Sequence, residues 1–528
     1  MSAAPRRVAV IGAGHNGLVA AVDLARAGVE VTVLEANEAP GGCIWTETLP
    51  SGHRLERGAL EHGGILDLAL ALGLDRHGLE FTTRDTIAGT VVGERRFVFP
   101  VDADAAAAGL GADGPAYREL VSLADSLFGL IDRFSAPPTL AELGGVLARL
   151  PGGDELFRLL MSSSEVVLRE RLTDPDLVAA VAMYGGLAQM PPWLQGTGMF
   201  SLLLPSAHAH AAARPLGGSV ALVTALVAAL EAAGGRLVTG RPVTAITAHG
   251  AGARVAAGEL VLEVDAVVSS IDLGRTVELL TDPPAALARA AARVGSGRIN
   301  VGECKLDVAL DHVPDLGAIA SAPDAIWLLQ RERTSLRRST ADVVAGRLPD
   351  DLPVMLGLPS VSDPSAAPAG GAVVWVSAFV PLEPREGWTS ALEEATAARM
   401  VATVRATTGI ELDRGAVTTR VTGPRAWAER MGSATGNPNH LDLSLDQLLG
   451  WRPPGVAGST TALPWLHLAG AGTHPGGGLS GVSGRRAAAA LLGRAAGRGR
   501  GPVARLTDEV GSLTAGLRFY LDLRRRGR

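Results

Sequence analysis

One short stretch constrains this chain more than any other. Gly12-Ala13-Gly14-His15-Asn16-Gly17 sits between an apolar run, Val8-Ala9-Val10-Ile11, and an Ala- and Leu-rich segment from Leu18 to Ala27 that Gly28 ends. The run suits a buried parallel strand, and the segment after the glycines suits a helix. Val29 to Leu34 then alternates β-branched residues and closes on Glu35, so the first forty residues predict a strand–helix–strand unit. In that setting each glycine has a task. Gly12 permits the tight turn, Gly14 lets backbone approach a pyrophosphate, and Gly17 lets helix and strand pack closely. The helix start, with His15 and Asn16, offers unpaired N–H groups and a positive dipole to phosphate. Glu35, eighteen residues after Gly17, is placed to accept from a ribose hydroxyl and would repel a 2′-phosphate. Gly109-x-Gly111-x-x-Gly114 has the same spacing, but no strand precedes it and Pro115 follows, so it predicts no second nucleotide site.

Composition narrows what surrounds this unit. A chain of 528 residues, 47% hydrophobic and 19% charged, is globular and large enough for two or three domains. The net charge of −6 gives no basic field for nucleic acid. Two cysteines, Cys43 and Cys304, support neither a disulfide framework nor a thiolate zinc site, and no metal ligand set is expected. His208 and His210 stand two apart without acidic companions, which is too little for a metal. Met1–Arg7 leads straight into the first strand with no h-region, and no apolar run reaches ~18 residues. A cytoplasmic protein without a leader or spanning helix is therefore the expectation. Aromatic residues are only 4%, so an aromatic cage looks hard to build.

Along the chain, helical patterns dominate from about Arg96 to His210, broken by Pro137-Pro138, Pro151-Gly152-Gly153 and Pro191-Pro192. Pro215-Leu216-Gly217-Gly218 opens a long helix to Ala233, and five short strands follow between Arg236 and Ser270, read as a return to the first sheet. Residues from about Ile299 to Gly458 mix strands with one clear helix, Ser390–Thr407. Trp465–Ala469 is a strand, Gly470–Gly478 a glycine-rich turn, and Gly481–Leu492 a helix. The expected organisation is α/β. A Rossmann-type dinucleotide-binding domain from residues 1–75, 211–295 and 459–497 carries an inserted α+β substrate domain from 76–210 and 296–458. A final amphipathic helix, 498–528, holds Leu506, Val510, Leu513, Leu517 and Leu521 at helical spacing. It is expected to pack on the body or across a dimer rather than lie on a membrane; the oligomeric state is left open.

The second motif decides the cofactor. Gly41-Gly42-Cys43-Ile44-Trp45-Thr46 begins six positions after Glu35, and a glycine pair there lets backbone amides close over a second stretch of a long dinucleotide. This spacing, with Thr46, resembles the FAD-binding start of the amine-oxidase and phytoene-desaturase superfamily. That family usually shows Gly-Gly-Arg-x-x-Thr, and Cys43 stands in the arginine's place. Cys43 reads as a small buried residue rather than a covalent flavin anchor. Further stretches are similar to the phytoene-dehydrogenase-like branch: Leu358 to Gly370, Gly436 to Leu448, and above all Leu468-Ala469-Gly470-Ala471-Gly472-Thr473-His474-Pro475-Gly476-Gly477-Gly478-Leu479-Ser480-Gly481-Val482-Ser483-Gly484-Arg485. The resemblance runs over nearly the whole chain, except the tail and the poorly matching residues 187–214.

What the resemblance implies is specific. The strand after the second FAD segment would meet the adenine at Val243. Gly472 belongs to the closing turn, and the amides of Leu479, Ser480, Gly481 and Val482 would face the flavin pyrimidine ring and stabilise its reduced, anionic form. A lysine on a substrate-domain strand approaches the flavin in this family, and the chain has one lysine among 48 basic residues, Lys305. A partly desolvated lysine can orient a water or take a proton, so Lys305 is the expected catalytic residue, with Cys304 on the other strand face. His62, His440 and His474 lie near the motifs as positioning groups. The implied activity is FAD-dependent removal of hydride from carbon in a hydrophobic, isoprenoid- or polyketide-like small molecule. A non-redox flavoenzyme, an isomerase or cyclase, is the alternative. A flavin amine oxidase fits less well, since Tyr117, Tyr184 and Tyr520 lie outside the closing motif. A flavin-binding scaffold without turnover is the remaining reading.

Overall fold

A computed structural model describes residues 5–493 apart from 59–61, 132–133, 135, 210–211, 296–297, 434 and 457. The C-terminal helix expected over 498–528, as well as His210 and Tyr520, lies outside the described residues. Two sheets organise the rest. The first has five parallel strands in the order Leu466–Leu468, Ala266–Ser269, Arg7–Ile11, Glu30–Leu34, Arg236–Val238. Val8 aligns with Ala266 on one side and Val31 on the other. The strands are short, β-branched and buried on both faces, as a parallel sheet sandwiched between layers requires. Helices His15–Arg26, Val220–Ala232 and Val482–Leu491 pack on the sheet through one core that includes Val10, Leu18, Val22, Val33, Leu226 and Ala487.

The stretch between Arg236 and Ser270 differs from expectation. Only its first and last strands join the parallel sheet. Ala245–His249, Gly252–Ala257 and Leu260–Val264 form their own antiparallel sheet. The tight turns explain it: Gly250 and Gly258 adopt φ of 59° and 63°, which reverses the chain at once, whereas a parallel neighbour needs a long crossover.

The second sheet has seven strands in the order Ala416–Thr422, Val301–Leu310, Ala372–Pro381, Val354–Gly357, Ile326–Gln330, Thr86–Val92, Arg95–Pro100. It is antiparallel except where Ile326–Gln330 runs parallel to Thr86–Val92. Strand alternation sorts its two faces. Cys304, Leu306, Val374, Val376 and Ala378 face a core closed by helix Ser390–Thr408. Trp375 and Phe379 face the opposite way, with Ile326 and Met355, into a core shared with the helices between Gly114 and Gly185. The second glycine pattern, Gly109 to Gly114, lies at a helix–helix junction in this layer, as its Pro115 suggests.

Candidate active site

The first glycine turn is built by close contacts. The Gly12 amide donates to Leu34 O at 2.8 Å, and Gly12 takes φ 90°. A methyl on Gly17 would lie 2.2 Å from Gly12 O and 2.7 Å from Ser270 Oγ, so the helix can start there only without a side chain. Gly14 faces Gly41 in an isolated parallel bridge, and a Cβ on Gly42 would sit 3.1 Å from Gly14 Cα. The two glycine motifs thus meet backbone to backbone. Glu35 is buried, and its carboxylate accepts from the Ala13 amide at 2.7 Å and from the backbone and side-chain N–H groups of Asn37 at 2.9 and 2.7 Å. Three of its about four lone-pair sites are thus taken, and the one left, on Oε2, can accept from a ribose hydroxyl.

The closing glycine run comes from the other end of the chain. Helix Val482–Leu491 is capped by Gly481 at φ 66° and presses on the first helix so closely that a methyl on Gly484 would meet Asn16 O at 2.1 Å. Loop 436–448 lies against this run: a Cβ on Gly477 would meet Asn439 Oδ1 at 2.0 Å. Arg452 ties these parts together. It is fully buried and donates to Ala471 O, Asp442 O, Gln447 O, Asn439 O and Leu441 O at 2.7–3.4 Å. Burial lowers its pKa to about 9. The carbonyls, each with a negative dipole end, replace its water shell. Sequence reasoning missed Arg452, because one arginine among 47 carries no local signal.

These turns open on one cavity of about 450 Å³. Gly12, Gly14, His15, Asn16, Glu35, Gly42, Val243 and Leu479 line it, and so does Cys43. Gly17, Gly41, Thr46, Gly472, Ser480, Gly481 and Val482 do not: they hold the walls from behind. Thr46 Oγ1, for example, points to the buried Glu56 carboxylate at 3.4 Å. Val243 precedes strand Ala245–His249 rather than lying in it. Burial drives the His15 imidazole down to about 4, so it is neutral at pH 7, and its Nε2 is buried without a hydrogen-bond partner among the described residues. His440, opposite it on the wall, has an unpartnered Nδ1 and a lowered pKa for the same reason. Burial also pushes the Cys43 thiol up to about 12, and it lies 3.2 Å from Met431 Sδ. A protonated thiol is a poor nucleophile, which fits a packing role.

At the far end the cavity becomes apolar, lined by Ile326, Met355, Trp375 and Phe379 of the seven-stranded sheet, with Trp427 nearby. Strand alternation brings Trp375 and Phe379 to one face of the sheet, which places both on this wall. Tyr117 is elsewhere, bonded to His208 Nε2 at 2.9 Å inside the helical layer, and no tyrosine lines the cavity among the described residues.

Lys305 is not on the cavity wall. It is 1% exposed, and its ammonium donates to Glu56 O, to Gly58 O at 3.2 Å and to Asp307 Oδ1 at 3.5 Å. Burial lowers its pKa; that of its neighbour Asp307 is raised to about 6, again by burial, against the pull of Lys305. Gly58 does line the cavity, so Lys305 reaches the wall only through that carbonyl. The acid of this strand face that stands on the wall is Glu303, two residues back; Glu35 and Glu429 line the cavity from other elements. Its carboxylate accepts from Ser377 Oγ, and burial raises its pKa. The signal for Glu303 was present in the sequence, since residues 303, 305 and 307 share a face at period two.

Among the described residues no cluster of His, Cys, Asp or Glu could hold a metal, and no helix is long and apolar enough to cross a membrane. The cradle of facing glycines, a helix start and two orphaned imidazole nitrogens fits a long phosphate-bridged dinucleotide.

Known proteins agree with that cradle. The family described as flavin containing amine oxidoreductase matches residues 17–492. Pyridine nucleotide-disulfide oxidoreductase domain-containing protein 2 of Mus musculus is 26% identical, over 91% of this chain and 92% of its own. The lycopene-forming phytoene desaturase of Paracoccus sp. is also 26% identical, over 93% and 98%. Among solved structures, wild-type putrescine oxidase bound to putrescine superposes with a TM-score of 0.62 at 17% identity, covering 93% of this chain and 99% of that one, a likeness of fold. With the match to residues 17–492 and a Rossmann-type sheet at the glycine turns, the chain belongs to the flavin containing amine oxidoreductase family, as an FAD-dependent, phytoene dehydrogenase-like oxidoreductase.

Proposed function

We propose that this oxidoreductase desaturates or dehydrogenates an apolar small molecule, isoprenoid- or polyketide-like, held against the seven-stranded sheet. The observation that carries the reading is the cavity's far wall, where the apolar side chains of Ile326, Met355, Trp375 and Phe379 and the carboxylate of Glu303 come from one sheet. Such a wall buries hydrocarbon and sets a carboxylate beside it that can accept a proton. FAD, when bound, supplies the two-electron oxidant that takes a hydride from carbon. Making a double bond also releases a proton from the neighbouring carbon; of the three carboxylates on the wall, Glu35 is held by Ala13 and Asn37 and Glu429 is exposed, so Glu303 is the one assigned to take it. Its raised pKa strengthens it as a base, and the Ser377 hydroxyl fixes which oxygen is free. Lys305 positions rather than reacts. It holds the Gly58 carbonyl on the wall and neutralises the carboxylates on its strand face. The same relatives support the desaturation reading, since one of them is a phytoene desaturase.

The test is anaerobic. The holoenzyme is mixed with carotenoid precursors, polyketide-like polyenes and, as a contrast, primary amines, while flavin absorbance is followed. Bleaching with an apolar substrate and a product lighter by two hydrogens supports the proposal. Product of unchanged mass indicates an isomerase or cyclase, and bleaching by amines alone indicates an amine oxidase; either result replaces the reading.

A further inference from the structure

A dinucleotide brings negative phosphates to the glycine turns, yet the helix start that faces them, His15-Asn16-Gly17, carries no cationic side chain, its imidazole being neutral at pH 7. Position 43, which is arginine in the motif that the sequence resembles, is a protonated cysteine. Two arginines line the cavity, Arg275 and Arg430. Arg275 is half exposed and paired with Glu278 at 2.9 Å. Arg430 is placed differently. It ends the helix Pro424–Met431, stopped by Gly432 at φ 59°, and reaches back over the first motifs. Its guanidinium donates to Gly42 O at 3.3 Å and Ala39 O at 3.5 Å, so its partners are weakly held backbone carbonyls rather than a carboxylate. The guanidinium also lies 5.5 Å from the Trp45 ring, and its charge is felt at Cys43. Its backbone carbonyl accepts from Asn37 Nδ2 at 3.2 Å, and Asn37 in turn holds Glu35. Arg430 is therefore fastened at both ends to the loop from Glu35 to Gly42.

We propose that Arg430 supplies, from a helix nearly 390 residues further along the chain, the cation for the cofactor's phosphates that position 43 does not provide. A fork of donors with no carboxylate partner can turn to a phosphate oxygen at little cost. The inference rests on the cofactor and not on the choice of substrate.

The measurement is FAD affinity of the apoprotein, read by quenching of flavin fluorescence over a range of salt concentration. Arg430→Gln should weaken binding about 10- to 100-fold, the worth of a charge-assisted hydrogen bond, and should flatten its salt dependence. Adding Cys43→Arg to that variant should regain most of the lost affinity. Unchanged affinity in Arg430→Gln overturns the proposal. So does weakened affinity with the native salt dependence, which would mark a packing contact, or a double variant that regains nothing. Arg430→Lys, which keeps the charge, guards against misfolding: it should bind more tightly than Arg430→Gln, and equal weakening by both overturns the role of charge.

Discussion

Glu303 and Lys305 stand two residues apart on one face of strand Val301–Leu310, yet only Glu303 reaches the cavity. The lysine is turned into the loop at Glu56 and Gly58, which covers it. Acid and ammonium thus share a face but not a surface.

The separation predicts how Glu303→Gln behaves. The amide is isosteric and keeps a partner for Ser377, so FAD binding and folding should stay near native. Removing a positioned base costs a factor of about 10² to 10⁴. Stopped-flow flavin bleaching without oxygen should slow by that range, with KM little changed. Native bleaching rates would take Glu303 out of the proton route.

Lys305→Met leaves Asp307, Glu303 and Glu56 without the cation that holds their pKa values down. All three should rise. A base must be ionised to act, so the acid limb of the kcat profile should move to higher pH. The variant should still hold FAD, because Lys305 does not line the cavity. An unshifted limb would separate the lysine from the site's electrostatics.

Acid should loosen the apoprotein through its buried imidazoles. His15 and His474 are lowered from 6.5 to about 4. Between those values the unfolded chain binds more protons, so their contribution is full above 6.5 and is lost as pH falls towards 4. Asp307, raised from 3.8 to about 6, works in the opposite sense over most of the same window. A His15→Gln variant should therefore show a shallower fall in urea midpoint between pH 7 and pH 4.5 than the native apoprotein. Parallel curves would mean that His15 titrates normally.

Two glycines in one motif should fail in different ways. Gly17→Ala puts a methyl 2.2 Å from Gly12 O and should cost about 1–3 kcal/mol of stability as the helix is pushed off the sheet. Gly14→Ala meets nothing nearer than Gly42 Cα at 3.9 Å. It should fold with a native melting temperature and still lose FAD affinity, because the methyl fills the space for phosphate. Melting curves with and without FAD check both.

Local order was readable wherever a short stretch decides it. The first strand–helix–strand unit, the helix over Ser390–Thr408 and strand Ala416–Thr422 follow from period and punctuation, and they lie within a residue or a few of the expected bounds. The meeting of Gly14 with Gly41 follows less directly, since neither glycine announces its partner. Long-range placement was not readable. Arg430 bonds carbonyls about 390 residues away and Arg452 bonds five carbonyls of the surrounding loops, and one arginine among many has no local pattern. Lys305 stood out by rarity, but rarity says nothing of direction; its strand face was legible, and the loop that covers it was not.

The parallel sheet has a consequence for how the protein is made. Its central strands, Arg7–Ile11 and Ala266–Ser269, lie more than 250 residues apart, and the edge strand Leu466–Leu468 is translated some 200 residues later still. At about 5–20 residues per second, a ribosome has released the first glycine turn tens of seconds before its closing partner exists. The nascent chain meanwhile carries a sheet with an open edge beside Val267, without the glycine run that completes the cradle. The complete cradle can therefore form only after the closing strand has been made.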